Sequence, residues 1–470
     1  MSLDLLEPTV DRRSFLRSSA LAVGVAALGP SFWQRAYAGT AKPGPGPYGA
    51  LLAADANGAM LPAGFTSRIL ATSGELVPGT AYPWHPAPDG GAVFPQPDGG
   101  WVYTSNSEFP LAGGAGALRF GADGEPVDAY RILTGTSLNC AGGPTPWGTW
   151  LSCEETPLGQ VYECQVVGTT QGAVRPALGR FSHEAVAVDP GRGQLYLTED
   201  ATDGRFYRFT PAAYPDLSRG LLEVLFVDAA GAVTWQPAVN PDQPQGRNRL
   251  AGSAVFSGGE GVWFDSDHVY FTNKGDNRVW DLDVAAQRLS LLYDAAVLGD
   301  DAPLTGVDNI VVSRSGDIFV AEDGGNLEVV LITPDGVVAP VVRLIGHDNS
   351  EIAGPAFSPD GSRLYFSSQR GTDLRGVTFE VTGPFRTARV APPARGTMPI
   401  PTTPGRGTDD GDPPSGGDAG PADGSTPRTE QAAAAPRLPE TGGSVTPAAA
   451  AAALTAAAGA AAWVSRSAQD

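Results

Sequence analysis

The sequence predicts an all-β protein, a six-bladed β-propeller flanked by a signal peptide and a disordered C-terminal wall-spanning tail. Three observations predict this fold. A short strand-like pattern returns six times between residues 62 and 385. The 61 glycines and 42 prolines indicate many turns and short strands. The same region shows no sustained helical periodicity, so long helices are excluded there.

The repeated pattern consists of apolar residues, then Thr, Ser or Ala, then two polar or acidic residues. Its copies lie at residues 103–106, 151–154, 197–200, 271–274, 320–323 and 366–369, at successive intervals of 48, 46, 74, 49 and 46 residues. A period of 40 to 50 residues is typical of propeller blades. The 74-residue interval predicts an insertion between Arg208 and Ala251. A large β-sandwich is the alternative architecture, but it does not explain the period.

The polar pairs predict an acidic lining of the propeller channel, because equivalent positions on successive blades lie at similar height and radius. If each pair ends a strand that faces the axis, the acids of these pairs face one another: Glu154, Glu199, Asp200, Glu322 and Asp323. Carboxylates packed this closely repel unless they hold protons or cations. The alternative is that the pairs begin exposed loops and are simply solvated.

The N-terminus, residues 1–38, reads as a twin-arginine-type signal peptide. Arg12 and Arg13 precede an apolar run at residues 20–28, and Ala36-Tyr37-Ala38 offers a cleavage site before Gly39. This predicts export of folded protein by the twin-arginine translocase. An ordinary secretory signal with a chance arginine pair is the alternative.

The C-terminus reads as a wall anchor that follows a propeller of residues 39–390. Residues 391–437 are rich in Pro, Gly and Asp and predict a disordered linker. Residues 438–470 contain LPETG, an apolar run at 448–464 and Arg466, which together resemble a sortase sorting signal. Sortase would join Thr441 to a Gram-positive cell wall, and membrane contact would be transient. An alanine-rich disordered tail, or secretion if the signal is unprocessed, are the alternatives.

The charge and the cysteine content limit the classes of function that are compatible with the sequence. The chain has 51 acidic and 31 basic residues, a formal charge of −20, which argues against nucleic-acid binding. Excess acid suits hard cations and also serves solubility. Cys153 and Cys164 could pair as a disulfide, which would leave Cys140 free. Metal ligation explains a lone exported thiol, and a buried small apolar side chain is the other explanation.

One stretch, residues 139–155 (NCAGGPTPWGTWLSCEE), resembles the PhoX-type alkaline phosphatase family. Residues 181–185, 197–200, 204–209 and 357–361 are similar to that family too, and the likeness covers most of residues 60–385. The resemblance implies a six-bladed fold, export by the twin-arginine route, and hydrolysis of phosphomonoesters at a cluster of iron (Fe³⁺) and calcium ions.

The resemblance also implies site residues. Cys140 matches the cysteine whose sulfur ligates iron at the catalytic centre. Glu155, Glu184 and Glu322 match acidic metal positions.

A second part of the resemblance concerns the phosphate. Asn106 matches a family position near the phosphate, which implies a catalytic and substrate-binding residue, and Glu108 matches a position near the metal. Ser107 stands where the family often has His. Arg205 and Lys274 are candidate phosphate contacts.

These residue types suit metal-assisted phosphoryl transfer, because clustered cations neutralise an anionic phosphomonoester. Carboxylates are hard ligands suited to calcium and ferric iron, and one thiolate adds a softer ligand suited to iron. Two other functions remain open at this point. One is a calcium-dependent lactonase or esterase, and the other is a non-enzymatic, calcium-stabilised surface-binding propeller.

Overall fold

The computed structural model describes residues 40–390. The predicted signal peptide, linker and sorting signal lie outside the described residues. None of the helices in the described part is long and apolar enough to cross a membrane.

Six sheets, antiparallel apart from one added N-terminal strand, are arranged as the blades of a propeller. Three strands precede the first complete blade: β1 (Lys42–Pro43), β2 (Ala59–Met60) and β3 (Thr66–Thr72). Blades 1 and 2 contain β4 (Pro88–Pro95), β5 (Trp101–Ser107), β6 (Gly113–Phe120), β7 (Pro126–Thr136), β8 (Asn139–Pro144), β9 (Thr149–Glu154), β10 (Val161–Gln165) and β11 (Ala173–Val174).

Blade 3 has five strands, and blade 4 has four. They are β12 (His183–Asp189), β13 (Gln194–Glu199), β14 (Phe206–Ala213), β15 (Asp216–Val227), β16 (Val233–Pro237), β17 (Gly259–Asp265), β18 (His268–Asn273), β19 (Arg278–Asp283) and β20 (Arg288–Asp294). The short helix α1 (Ala295–Leu298) then leads to blade 5. Blades 5 and 6 contain β21 (Val307–Val312), β22 (Ile318–Glu322), β23 (Glu328–Ile332), β24 (Val337–Leu344), β25 (Ile352–Phe357), β26 (Arg363–Ser368) and β27 (Val377–Thr382).

The N-terminal strands close the circle of blades. β3 pairs antiparallel with β27, from Thr66 opposite Thr382 to Thr72 opposite Val377, and so supplies the outermost strand of blade 6. β1 and β2 both pair with β24 at the edge of blade 5. The two ends of the propeller are therefore joined by backbone hydrogen bonds, and the edges of β24 and β27 are covered.

The predicted six-bladed fold is confirmed. Each copy of the repeated pattern lies on the second strand of a blade, counted from the axis, on β5, β9, β13, β18, β22 and β26. The predicted insertion also has a structural counterpart, because blade 3 carries the long strand β15, the additional strand β16 and the segment that leads to β17.

Six apolar clusters fill the gaps between the blades, one in each gap. Since each blade is covered on both faces, strands such as β22 are buried along their whole length. Cys153 packs between blades 2 and 3, whereas Cys164 packs between blades 1 and 2. The two thiols lie on opposite faces of one sheet and all three cysteines are free, so the Cys153–Cys164 disulfide considered from sequence is wrong.

Candidate metal centre

A β-bulge begins the innermost strand of every blade. In β4, β8, β12, β17, β21 and β25, three residues of the innermost strand span two residues of its neighbour. Such an extra residue bends a strand and redirects its side chains. We call the first bulged residue the inner position; in blade order these are Asp89, Cys140, Glu184, Glu260, Asp308 and Gly354.

A second set of residues follows the second strand of each blade. We call these the outer positions; in blade order they are Glu108, Glu155, Asp200, Lys274, Asp323 and Gln369. The backbone N–H of each outer residue donates to a carbonyl just ahead of the innermost strand, at 2.7 to 3.1 Å. These hydrogen bonds hold the two positions of a blade next to each other at the same end of the channel.

Eight acidic or thiol side chains at these positions, together with Glu351, form what we call the acidic ring. Four groups of three ligand atoms, each within 4.8 Å of one another, share members and connect all six blades. The ring contains eight carboxylates and one thiol: Asp89, Glu108, Cys140, Glu155, Glu184, Glu260, Asp308, Asp323 and Glu351. The inner position of the sixth blade is the glycine Gly354, so Glu351 provides the carboxylate of that blade. The Cys140 Sγ lies 3.2 Å from the Glu184 Oε1 and 3.7 Å from the Asp89 Oδ1.

Burial and mutual repulsion disfavour negative charge in the ring. Burial, reinforced by Asp89 and Glu184, raises the pKa of the Cys140 thiol well above its usual range. Burial, together with Glu260 and Glu155, likewise raises the pKa of Glu184. Burial also raises the pKa of Asp308 to about 7. In the absence of bound cations, the ring must therefore hold protons that ordinary carboxylates release near neutral pH.

Two basic residues lie beside the ring. The Lys274 Nζ is 3.1 Å from the Glu260 Oε1 and 3.2 Å from the Asp323 Oδ2, and 35% of its side chain is exposed. Burial opposes the Lys274 charge, but Glu260 and Asp308 raise its pKa well above the usual value. The Arg370 Nη1 is 3.1 Å from the Glu351 Oε2, and its side chain is 42% exposed. Two cations therefore face both the ring and the solvent.

The donor set fits metal ions. The Glu184 Oε2 is buried and has no hydrogen-bond partner among the described residues. An unpaired buried carboxylate oxygen is costly unless it binds a cation. Eight hard oxygen ligands with one thiolate suit calcium together with iron. The ring therefore provides both a negative field and at least one oxygen that no described residue satisfies.

The channel is narrow next to the ring, where small residues of the innermost strands line it. A cavity of about 30 Å³ is lined by the residues that follow the inner positions, among them Gly90, Ala141, Ala185, Gly261 and Asn309. A cavity of this size holds about one or two water molecules. Any larger ligand therefore reaches the ring through the face where the innermost strands begin, which we call the mouth.

The structure brings several sequence-predicted residues together. Cys140, Glu108, Glu155, Glu184 and Asp323 are members of the ring. Asp200 occupies an outer position, and burial, Glu108 and Asp200 together raise the pKa of its neighbour Glu155. Lys274 occupies the outer position of blade 4 and pairs with two ring acids.

Besides Asp200, three predicted metal ligands lie outside the ring, because each is the first of two consecutive acids and points to the opposite side of the strand from the second. Glu154 accepts hydrogen bonds from the backbone N–H groups of Ser137 and Gln160. Glu322 accepts from the backbone N–H groups of Thr305 and Glu328.

Glu199, the third, pairs with Arg249 at 2.6 Å and accepts from the Tyr207 hydroxyl. These acids stabilise loops. The expectation that both acids of each pair face the channel is therefore wrong for the first acid.

Two predicted phosphate-binding residues also lie outside the ring. The Asn106 Nδ2 donates to the carbonyls of Cys140 and Ala141 at 3.1 and 2.7 Å, and its Oδ1 accepts from Trp150 and Ser152. Asn106 therefore holds the bulge that carries Cys140 and has no hydrogen-bonding capacity left for phosphate.

Arg205 lies in the loop of blade 3, where its Nε donates to the Ser253 hydroxyl. The Ser107 hydroxyl, at the position where the family often has His, donates to the Pro86 carbonyl. Both side chains are directed to structural partners.

Sequence reasoning missed four ring acids, Asp89, Glu260, Asp308 and Glu351, and the two polar residues Gln369 and Arg370. The Gln369 Nε2 donates to the Asp89 Oδ2 and the Glu108 Oε2, both at 2.5 Å. A signal for the acids was present, since one acid or Cys lies 14 to 19 residues ahead of each outer position. Four of the six inner residues are followed by Gly or Ala, so a small residue after an acid or Cys accompanies the bulge.

Comparison with known proteins finds a likeness to one family of phosphatases. The family described as alkaline phosphatase PhoX matches residues 100–173 and 158–289. The structure of Pseudomonas fluorescens PhoX in complex with vanadate, a transition state analogue, is 16% identical, with a TM-score of 0.58 over 71% of this chain and 97% of that chain. At this identity the likeness shows the six-bladed fold.

A gluconolactonase from Xanthomonas campestris is 14% identical over 72% of this chain and 99% of its own, with a TM-score of 0.39. No curated protein matches the chain in sequence. The LPXTG cell wall anchor motif matches residues 430–467. The chain is therefore an exported, cell wall-anchored surface protein.

Proposed function

We propose that this chain, whose resemblance to the PhoX family is confirmed by the family match and the shared fold, is an exported phosphatase that hydrolyses phosphomonoesters at an iron and calcium cluster. The observation that carries the proposal is the acidic ring, in which eight carboxylates and one thiol converge from all six blades. Such a ring is too acidic to be stable with all its members ionised unless cations compensate it.

The chemistry of the donors assigns the two metals to different parts of the ring. Iron would be held on the side of Cys140, with Asp89, Glu108, Glu155 and Glu184, because only this side offers a thiolate. Calcium would be held by the all-oxygen groups that include Glu260, Asp308, Asp323 and Glu351. When bound, the metal ions neutralise the phosphoryl oxygens and make attack on phosphorus favourable.

Lys274 and Arg370 would attract and orient the anionic substrate. Both are partly exposed at the mouth, and each already faces ring carboxylates. A phosphate that entered the mouth would meet the two cations from the solvent side, where charge-assisted hydrogen bonds to phosphate oxygens are strong. The narrow channel beyond the ring keeps the substrate at this end.

The route to the cell surface completes the proposal. We propose that residues 1–38 direct export of the folded, metal-loaded protein by the twin-arginine translocase. Residues 39–390 form the phosphatase domain, residues 391–437 a linker, and residues 438–470 the signal that sortase processes at Thr441. A buried ring that must be filled with metal suits a route that exports folded protein.

Metal removal and substitution of two neighbouring carboxylates test the proposed phosphatase activity. Hydrolysis of p-nitrophenyl phosphate is measured before and after removal of metal by a chelator, and after iron and calcium are returned. We expect activity to be lost and restored.

Glu155→Gln should lower kcat by at least about a hundredfold, the range for loss of a group that stabilises the transition state. Glu154→Gln, one residue away but bonded to backbone N–H groups, should retain activity within a few-fold. Equal effects of the two substitutions, or no turnover by metal-loaded protein, would exclude the proposal.

A further inference from the structure

Exposed leucines surround only one half of the mouth. The loop after Glu108 carries Leu111, which is 88% exposed, and the loop after Gln369 carries Leu374, which is 78% exposed. The loop after Glu155 carries the exposed Leu158. These loops belong to the adjacent blades 6, 1 and 2. Among the described residues, the corresponding loops of blades 3, 4 and 5 carry no exposed leucine, although the segments that lead to β17, β21 and β25 carry the exposed Val239, Val297 and Ile345.

The three loops are fixed next to the ring and to each other. The Gln369 amide bonds to Glu108, so the loops of Leu374 and Leu111 start from contacting residues. Leu138 connects the next pair, because its N–H donates to the Phe109 carbonyl and its carbonyl accepts from the Glu155 N–H. Leu111 and Leu158 each follow a ring acid by three residues, which limits the separation to about 11 Å along the chain, and Leu374 follows Gln369 by five residues, about 18 Å.

The backbone at the two most exposed leucines is strained. Leu111 has φ 60° and Leu374 has φ 66°. Bulky side chains rarely adopt this left-handed region, in which Gly and Asn are favoured. A solvent-exposed loop would be more stable with Gly or Asn at either position. Leucine at both positions, despite this strain, points to a use for the apolar side chains at the mouth.

We propose that the substrate is a phosphomonoester with an apolar organic group, alkyl or aryl, which packs against the leucines of blades 6, 1 and 2 while its phosphate lies at the ring. This inference rests on the proposed phosphatase function. Lys274 lies on blade 4, on the opposite side of the mouth from Leu111, whereas Arg370 lies on blade 6, in the loop that also carries Leu374. A phosphate between these two cations would leave the organic group of the same molecule beside the leucines. The leucines would then set specificity, and the ring would hold the anion.

The test compares ethyl phosphate with hexyl phosphate as substrates of the metal-loaded full chain. We expect kcat/KM to be about tenfold or more higher for hexyl phosphate, since each buried methylene contributes to binding. The double variant Leu111→Asn, Leu374→Asn should reduce this ratio to within about threefold of unity. Its melting temperature should equal or exceed that of the unchanged chain, because Asn tolerates the left-handed backbone. Leu221→Ser, an exposed leucine on the outer strand β15, should leave the ratio unchanged.

Binding of non-hydrolysable ethylphosphonate and hexylphosphonate, measured by calorimetry, separates this inference from the proposed function. Tighter binding of hexylphosphonate that the double variant abolishes would support the inference even if no ester is hydrolysed. Hydrolysis with a hexyl to ethyl ratio near one, or a ratio that the double variant does not change, would overturn the inference and leave the phosphatase proposal intact.

Discussion

Asn106 shows how a residue beside the ring can act without touching a ligand. Its side chain makes four hydrogen bonds, and two of them hold the carbonyls of the bulge that carries Cys140. Asn106→Ala should lower the free energy of unfolding by about 3 kcal/mol, because buried carbonyls and donors lose their partners. Thermal or chemical denaturation measures this loss.

A control residue distinguishes this effect from the loss of any asparagine. The Asn57 side chain also bonds to a neighbour, Ser67, but in a partly exposed site. Asn57→Ala should cost less than about 1 kcal/mol. If the two substitutions cost the same, Asn106 does not support the bulge in the way described.

The sequence identified the outer positions better than the inner positions for a physical reason. Outer acids such as Asp200 and Asp323 end copies of the repeat on strongly apolar second strands, so the repeat of apolar residues and polar pairs marks them. Inner residues such as Asp89 stand before Gly at the start of a strand, and Asp-Gly reads as a turn. Which acid of a pair faces the channel depends on the register between strands, and a single sequence does not state that register.

At the scale of the elements, the bulge places the ligands. The backbones of the innermost strands approach closely below the ring, and at Gly354 a Cβ atom would lie 2.7 Å from the Asp89 carbonyl oxygen and 3.0 Å from the Gly91 nitrogen. Gly354→Ala should therefore displace the strand that carries Asp89. We expect a loss of about 3 kcal/mol in the free energy of unfolding and weaker metal binding, measured by denaturation and by metal titration.

Gly324 is the matched control, because it also has positive φ, but no described atom lies within 4 Å of the point that a Cβ would occupy. Gly324→Ala should cost about 1 kcal/mol for the backbone strain alone. Equal losses at the two glycines would show that close packing of β25 against blade 1 is unimportant.

The number of blades followed from the sequence, because each second strand repeats the same pattern. The sequence did not predict which strand closes the propeller. The strand β3 that completes blade 6 comes from the N-terminal side of blade 1, more than 300 residues from its partner β27 in sequence. Such long-range pairing leaves no local pattern in the residues concerned.

At the scale of the whole molecule, the ring makes stability depend on pH and metal. The pKa of Asp308 is raised to about 7, mainly by burial, and those of Asp89 and Glu184 are raised as well. A carboxyl whose pKa is raised on folding stabilises the fold when protonated, and this contribution is lost as pH rises from about 4 through 7. Metal-free protein should therefore become less stable between pH 5 and pH 8.

Melting temperatures of chelator-treated protein across this pH range test the expectation. Addition of calcium at pH 8 should restore the lost stability, because cations replace the protons. Metal-free protein that becomes more stable from pH 5 to pH 8 would contradict the account of the ring.

The described chain ends on the face opposite the mouth. The Val390 N–H donates to the carbonyl of Ser315, in the turn at the far end of β21 from Asp308. Phe385 packs against Phe65 and Phe357 at ring-centroid distances of 4.8 and 5.1 Å.

A chain of residues 39–390 should therefore keep the stability and metal content of the longer protein. A chain that ends at residue 382 should lose about 3 kcal/mol or more, because Phe385 and its packing are removed. Denaturation of the two truncated chains measures the difference. Equal stability would show that the last eight residues do not belong to the folded domain.

Elemental analysis of the folded, exported protein and of its Cys140→Ser variant tests directly whether the ring binds iron and calcium. We expect both iron and calcium in the unchanged chain. The variant should lose iron and retain calcium, because the only thiolate of the ring is removed and the all-oxygen groups are kept. Calcium without iron in the unchanged chain would contradict the account and favour a calcium-stabilised binding propeller on the same fold.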